Sequence, residues 1–508
     1  MQLSTSEART GLAQRSLNAV FWGGAGALLR LALQLGAQIA LARILGPQQY
    51  GVFAVGATVI GFSAFLSDIG LAYGLIQKPE VGADDIRFVF TWQIVLGLAV
   101  TALVYLTASP LAAFFGEARA AGVLRAMSLL CLLNALGATS LNLLRRRLDF
   151  KSIQFAQIVS YVVGYIACGL PLALAGAGYW ALVAAWLIQS ALNGLLLYRA
   201  AGHPLRPLAW YGQAIGQGRY ALTVLATNLT NWLIGNIDRV VVARVFGSRD
   251  IGLYATLYNL LYNPSATLLG VVQPVFFSAS SRITDDPQRV AQGYRTLIGA
   301  LALFVLPPFA CLAVLGDSFV PALYGPNWLA AAGLVAPLAL AMPLFLLFGL
   351  TTPLLWTSGR PQREFLMQLP VALVWPGACV LAARGSLPAV AWTVLVLFVL
   401  RTGVVVRAAS RAMGLVAADL WRAMRGGVAV ALACAALAAL VERALPAEQP
   451  ALLHLLAGTL GGVVGWLAIV RSVRGAMTPD TLQLLHRLAP RLPRALRRFV
   501  DAIDQRHR

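Results

Sequence analysis

Long apolar stretches joined by short polar connections make up most of this chain. Of its 508 residues, 59% are hydrophobic and 11% are charged, whereas soluble domains carry about 25% charged residues. So little charge cannot cover a water-exposed surface, and lipid must therefore surround most of the chain. About fourteen stretches can cross a hydrocarbon core of about 30 Å, which predicts an all-α polytopic membrane protein. Their approximate limits are 17–45, 51–76, 88–109, 121–143, 153–175, 178–198, 219–246, 251–277, 294–315, 328–355, 364–383, 387–409, 420–441 and 450–470.

The basic residues are distributed unequally between the two sides of the membrane. With the N-terminus inside, about 30 of the 39 basic residues fall in cytoplasmic segments, among them Arg145, Arg146, Arg147 and Arg401. We therefore expect a multi-pass membrane protein with both termini in the cytoplasm. Residues 472–508 are typical of a basic amphipathic segment on the anionic leaflet, and a disordered tail or a docking site for glycan-assembly enzymes is the alternative. The net charge of +20 follows the membrane topology, so nucleic acid is not an expected partner.

One thirteen-residue pattern occurs twice. ARILGPQQYGVFA begins at Ala42 and ARVFGSRDIGLYA begins at Ala243, an offset of 201 residues. Six predicted spans separate the copies, so both halves have the same orientation. The repeat predicts two six-helix lobes, related by a pseudo-two-fold axis along the membrane normal, with a central cavity between them. The expected order is a cytoplasmic N-terminus (1–16), an N-lobe (17–200), a cytoplasmic linker (201–218), a C-lobe (219–411), two extra helices (412–471) and the tail (472–508).

Arginine and glycine recur at matching positions in the two copies. Glycine allows a tight external turn between helices. An arginine at a helix end can extend its guanidinium to the membrane interface. We therefore interpret these residues as structural. The pairs are Arg43 with Arg244, Gly46 with Gly247, and Gly51 with Gly252.

These motifs resemble a known family of transporters. The turn ARILGPQQYG, the run NIDRVVVARVFG and the segment SDIGLAYGLIQK are similar to those of polysaccharide transporters. That family comprises oligosaccharide flippases of the multidrug/oligosaccharidyl-lipid/polysaccharide exporter superfamily. The resemblance covers about residues 15–410 and implies a V-shaped pair of lobes. It implies that polyprenyl-diphosphate-linked oligosaccharide repeat units cross a bacterial inner (plasma) membrane by alternating access, for exopolysaccharide or lipopolysaccharide (O-antigen) biosynthesis. Membrane lipids, glycosyltransferases and a polymerase of the same pathway are the partners to expect.

Several polar residues inside the predicted spans have no counterpart in the other half. An arginine in mid-membrane costs about 2.5–3.5 kcal/mol, so Arg30 should face a watery cavity or a partner. Guanidinium groups bind phosphate oxygens bidentately, so Arg30 and Arg239 are expected to attract the diphosphate. An ion pair between Arg30 and Asp238 is the structural alternative. The expected cavity residues are Arg30, Gln34, Gln38, Asn228, Asn231 and Arg239.

Two carboxylates are candidates for coupling transport to a proton or sodium gradient. Asp238 is the better candidate because of its depth in the seventh span. For Asp68, near the cytoplasmic end of the second span, we favour a structural role, in which it bonds neighbouring backbone and an arginine at a helix irregularity. No other cofactor is expected, and five cysteines scattered singly through apolar runs predict no metal site.

Other functions stay open alongside the flippase. No nucleophile elbow, P-loop or zinc signature occurs in the sequence, so an enzyme is not expected. A cation-coupled multidrug or toxin exporter of the same superfamily would need an acidic cavity, whereas the first span offers Arg30. A peptidoglycan-precursor flippase would share a cationic cavity. A structural subunit of a glycan-assembly complex is the alternative outside transport.

Overall fold

Among the residues that the structure describes, helices are the only regular secondary structure. The computed structural model describes residues 5–67, 75, 78, 80–210, 218–281, 286–357, 361–446, 448–472 and 482. The chain divides into two compact units, Met1–Thr256 and Leu257–Arg508.

The first unit begins with α1 (5–45) and α2 (47–67), which a non-helical Gly46 separates within the run Thr5–Ser67. The helices that follow are α3 (Ala83–Phe114), α4 (Ala120–Arg146), α5 (Phe150–Leu174), α6 (Tyr179–Ala201), α7 (Gly218–Val245) and the start of α8 (Ser248–Ser281). Between α6 and α7, residues 202–210 have no regular secondary structure. Hydrogen bonds attach this segment to α3, for example from Trp92 Nε1 to the carbonyl of Ala209 at 3.0 Å.

The second unit contains the rest of α8 and seven further helices in the described ranges. They are α9 (287–314), the short α10 (Gly316–Tyr324), α11 (Ala332–Thr357), α12 (Pro361–Ala383), α13 (Leu387–Ala412), α14 (Ala417–Ala444) and α15 (Ala451–Ser472). A 3₁₀ turn, Pro326–Ala331, joins α10 to α11.

The helices agree with the predicted spans. Each of the fourteen spans coincides with one helix, so the prediction of an all-α polytopic membrane fold is confirmed. In the described residues, ten helical stretches are long and apolar enough to cross a membrane, and one of them, Gly23–Ala64, includes both α1 and α2. The helix α10 is additional. Its nine residues are too few to cross a bilayer, so the sequence indicated only a connection there.

The two C-terminal helices pack on α9 where that helix is irregular. A π-helical turn, Leu301–Val305, precedes Pro307. Because proline has no N–H, the carbonyl of Leu303 is not needed by the helix. The indole of Trp466 on α15 donates to it at 3.0 Å. On α14, a Cβ added to Gly427 would lie 2.4 Å from the carbonyl carbon of Ala302 in this turn, so the backbones are in close contact.

Candidate functional site

The two copies of the repeated turn lie against each other within the first unit. A Cβ added to Gly51 would lie 1.5 Å from the carbonyl oxygen of Ser248, and one added to Gly252 would lie 1.9 Å from that of Pro47. Ser248 is the repeat equivalent of Pro47, as Gly252 is of Gly51. The two contacts therefore exchange under the repeat, as a two-fold axis requires. Only glycine fits, because any side chain would overlap the opposite backbone.

Different glycines close the turns themselves. Gly46 and Gly247 have φ of 71° and 86°, in the left-handed region that other residues rarely adopt. Arg43 and Arg244 precede them and are exposed. The guanidinium of Arg244 lies 5.5 Å from the ring centroid of Phe114. The repeated glycines thus serve two purposes, turn closure and close approach.

Asp238 is buried in α7, nine residues before Gly247 and therefore about 14 Å along the helix from the turn. It is 2% exposed, and the hydroxyl of Tyr254 donates to its Oδ2 at 2.5 Å. Its Oδ1 is buried without a hydrogen-bond partner among the described residues. The repeat equivalents of this pair are Ala37 and Phe53. The carboxylate and the hydroxyl that binds it are therefore both absent from the first copy.

Gln38 and Arg239 occupy equivalent positions on α1 and α7 but make different hydrogen bonds. Gln38 Nε2 donates to the carbonyl of Thr256 at 2.9 Å, and the Gln38 carbonyl accepts from the hydroxyl of Tyr50 at 3.3 Å. Arg239 Nη1 donates to Asn236 Oδ1 at 3.2 Å. Gln38 thus joins α1 to the start of α8, at about the level of Asp238.

Arg30 lies deeper, sixteen residues before Gly46 and about 24 Å along α1 from the turn. Its side chain is half-buried. Nη1 donates to Gln157 Oε1 on α5, and Nε is buried without a hydrogen-bond partner in the described part of the chain. No described carboxylate lies within 4.0 Å of the guanidinium. The ion pair with Asp238 is therefore not formed.

A polar face of α5 lies opposite Arg30. Gln154, Gln157 and Tyr161 follow one another at helical spacing. A Cβ added to Gly26 would lie 2.7 Å from the side chain of Gln154, so α1 and α5 pack closely there. Tyr161 donates to the carbonyl of Gln34 at 3.5 Å. The sequence prediction omitted these α5 residues, although three polar residues spaced by three and four positions in an apolar helix would have indicated them.

Some predicted site residues lie outside the described part of the chain. These are Asp68 and the side chains of Asn228 and Asn231. Residues 483–508, which contain most of the predicted amphipathic tail, lie outside it as well. Their roles stay predictions.

The second unit contains a buried arginine that the sequence prediction had counted among the cytoplasmic basic residues. Arg401 is 8% exposed within α13. Its Nε and Nη2 donate to Gln368 Oε1 at 3.2 and 2.6 Å, and its guanidinium lies 3.9 Å from the ring centroid of Phe348. An amide and an aromatic face therefore surround this charge. Counting basic residues by their distance from the helix ends cannot detect such an environment.

Comparison with known proteins decides the family. The family model described as "Polysaccharide biosynthesis protein" matches residues 40–333, more than half of the chain. The chain belongs to this family. The resemblance to polysaccharide transporters is thereby confirmed.

Two relatives illustrate the range of the family. The succinoglycan biosynthesis transport protein ExoT of Rhizobium meliloti is 27% identical over 461 residues, 90% of this chain and 92% of the relative. The lipopolysaccharide biosynthesis protein WzxC of Escherichia coli is 23% identical over 323 residues, 62% of this chain and 65% of the relative. The long alignment with a transport protein extends well beyond the span of the family model.

Solved structures show the same fold. The lipid II flippase MurJ in its inward closed conformation matches with a TM-score of 0.69 at 12% identity, covering 89% of this chain and 99% of MurJ. A multidrug resistance transporter of the MATE family, which belongs to the MOP superfamily, matches with a TM-score of 0.51 at 13% identity, covering 78% of this chain and 94% of that transporter. At such low identities these likenesses establish the multi-span transporter fold and leave the substrate open.

Proposed function

We propose that this chain is a flippase that moves polyprenyl-diphosphate-linked oligosaccharide repeat units across a bacterial inner membrane by alternating access. Membership of a polysaccharide biosynthesis family and the similarity to a succinoglycan transport protein support the class of substrate. The main observation behind the proposal is the environment of Arg30. It lies inside a membrane helix beside the amide of Gln157 and has no carboxylate within ion-pairing distance in the described residues.

An arginine in this state favours an anionic substrate. Burying a guanidinium without a counter-ion is costly, and a diphosphate would supply the missing charge. The fork of the guanidinium can donate to two phosphate oxygens at once. Gln154 and Gln157 provide amides on the facing helix, and Gln154 Oε1 is buried without a described partner. These amides can bind phosphate oxygens or the hydroxyls of the first sugar.

Asp238 is the proposed coupling group. A carboxylate that accepts one described hydrogen bond, from Tyr254, leaves an oxygen available for a proton or a sodium ion. Occupation by a cation would neutralise a buried charge, and it would therefore favour the conformation in which α7 and α8 enclose this residue. Both termini are proposed to lie in the cytoplasm.

Two alternatives remain within the superfamily. A multidrug exporter would bind cations, and the positive charge of Arg30 would repel such a ligand. A peptidoglycan-precursor flippase would carry the same diphosphate group, and the MurJ fold is compatible with it. The two flippases differ in the glycan, so a cellular assay of the accumulated lipid separates them.

The experiment is deletion followed by complementation. Loss of the gene should abolish surface glycan and leave lipid-linked repeat units on the cytoplasmic side of the membrane. Wild type and Arg43→Ala, which changes an exposed arginine of the repeat turn, should restore export, whereas Arg30→Ala should not. If the deletion strain has normal surface glycan and becomes sensitive to drugs, the chain is the exporter. If the deletion strain stops peptidoglycan synthesis, the chain is the peptidoglycan-precursor flippase. Restoration by Arg30→Ala would remove the main support for the proposal.

A further inference from the structure

A partly open cavity with several polar side chains in its wall lies inside the first unit. Its volume is about 350 Å³, within the range of ligand-binding pockets, and its walls are formed by α2, α3, α4 and α6. Arg30 and Asp238 are not among its lining residues. The described lining includes no carboxylate. The polar residues that line it are Gln93, Asn134, Asn142, Arg145, Ser190 and Asn193.

The packing of α4 on α6 places these side chains around one space. The two helices approach closely at Gly137 and Gly194, where a Cβ added to Gly137 would lie 3.4 Å from the Gly194 Cα. Asn134 and Arg145 are eleven residues apart on the same face of α4, so the polar lining extends about 16 Å along the helix. Asn193 faces the same space from α6, and its Oδ1 is buried without a described partner.

Three consecutive arginines at the end of α4 have three different partners. Arg146 Nη1 donates to the carbonyl of Leu75 at 2.8 Å. Arg147 Nη1 donates to the last carbonyl of α6 at 2.8 Å. Both arginines therefore fix backbone. Arg145 lines the cavity instead, and its one hydrogen bond in the described part of the chain goes to Asn142, at 3.5 Å.

The chemistry of the lining specifies the class of ligand. Polar groups inside a helix bundle are costly and usually mark a functional site. Amides donate and accept hydrogen bonds, which suits hydroxyl groups, and the guanidinium at one end suits an acid group. Divalent cations prefer carboxylate oxygens, so this set of donors does not fit a metal.

We propose that this cavity binds an acidic sugar, with its acid group on Arg145 and its hydroxyls on the deeper amides. A phospholipid headgroup would also bring an anion to Arg145. However, polar groups continue along α4 as far as Asn134, beyond the reach of a phosphate held by Arg145. If the sugar belongs to the exported glycan, this inference rests on the proposed function; binding of the sugar itself does not.

The test is ligand-observed saturation-transfer NMR on the purified full-length protein, with glucuronate and glucose as probes. Glucuronate should receive saturation from wild type, and glucose should bind more weakly because it lacks the acid group. Arg145→Gln should weaken glucuronate binding about tenfold, since a charge-assisted hydrogen bond is lost. Arg199→Gln, which removes an exposed arginine at the end of α6, is the matched control and should bind as wild type does.

Three results would overturn the inference. The first is no transfer to glucuronate in wild type, and the second is equal transfer in wild type and Arg145→Gln. The third is a protein that does not bind glucuronate but binds phosphatidylglycerol in native mass spectrometry, with a dependence on Arg145. That result would identify the cavity as a lipid site. Arg30→Ala separates this inference from the proposed function. It should lose export and keep the glucuronate signal, and loss of both would place the sugar at Arg30 instead.

Discussion

The two repeat turns keep the symmetry of the repeat, whereas the polar residues farther along the helices break it. At the turns, equivalent residues make equivalent contacts: Gly51 meets the Ser248 carbonyl as Gly252 meets that of Pro47. About 14 Å along α7 from the turn, the Asp238–Tyr254 hydrogen bond has no counterpart, because the first copy has Ala37 and Phe53.

This difference indicates how a duplicated transporter can divide its tasks. A reciprocal backbone contact needs the same small residue in both copies, so duplication preserves it. A charge inside the membrane is costly and needs a partner, so it persists where it serves a ligand. We therefore expect changes at the glycines of the turns to affect stability, and changes at Arg30 and Asp238 to affect transport.

The largest expected effect is at the glycines of close approach. Gly51→Val or Gly252→Val would place a side chain in the opposite backbone and should destabilise the protein by about 3 kcal/mol or more. Thermal unfolding in detergent measures this. Gly36→Val is the matched control on α1, because a Cβ there meets no atom within 4 Å. Equal stability of Gly36→Val and Gly51→Val would contradict the contact.

The next effect concerns coupling. Asp238→Asn should reduce transport about tenfold or more and abolish its dependence on a proton or sodium gradient, because a neutral amide does not bind a proton and has no charge for a sodium ion to neutralise. Tyr254→Phe, which restores the residue type of the first copy, should retain gradient dependence. Transport into vesicles with imposed gradients measures both. Unchanged gradient dependence in Asp238→Asn would assign the carboxylate a structural role.

A smaller loss of stability is expected at the glycines that close the turns. Gly247→Ala should cost about 1–2 kcal/mol, because an L residue is strained at positive φ even where space is open. Gly46→Ala should cost a similar amount, since its φ is also positive. Thermal unfolding of the two variants should therefore agree. A difference between them much larger than this strain would show that the turns are not equivalent.

The smallest effect lies outside the repeat, in the segment after α6. His203 is 5% exposed and its Nε2 lies 2.9 Å from Ser140 Oγ. Burial lowers the pKa of His203 below its ordinary 6.5. The unfolded chain then binds the proton more readily, so stability should be full above about pH 6.5 and fall as the pH is lowered. His203→Gln should weaken this pH dependence in thermal unfolding; an identical dependence would exclude His203 as its source.

Much of the fold could be predicted because apolar length is a direct physical requirement of a bilayer. The repeat also identified Gly51 and Gly252 as equivalent, but equivalence along the chain does not reveal that each meets the other copy's backbone. Arg145, Arg146 and Arg147 are indistinguishable in sequence, since their partners are carbonyls and a cavity that form only after folding. Gln157 was overlooked for the same reason: its importance depends on Arg30 facing it.

We expect the charge unique to one copy, and not the repeated charge, to serve the substrate. The direct test is translocation of a lipid-linked oligosaccharide in vesicles reconstituted with purified protein, comparing Arg30→Ala with Arg43→Ala at equal thermal stability. We expect Arg30→Ala to lose translocation at least about tenfold, because its contact with the diphosphate is removed, and Arg43→Ala to match wild type. Translocation by Arg30→Ala at the wild-type rate would contradict the account.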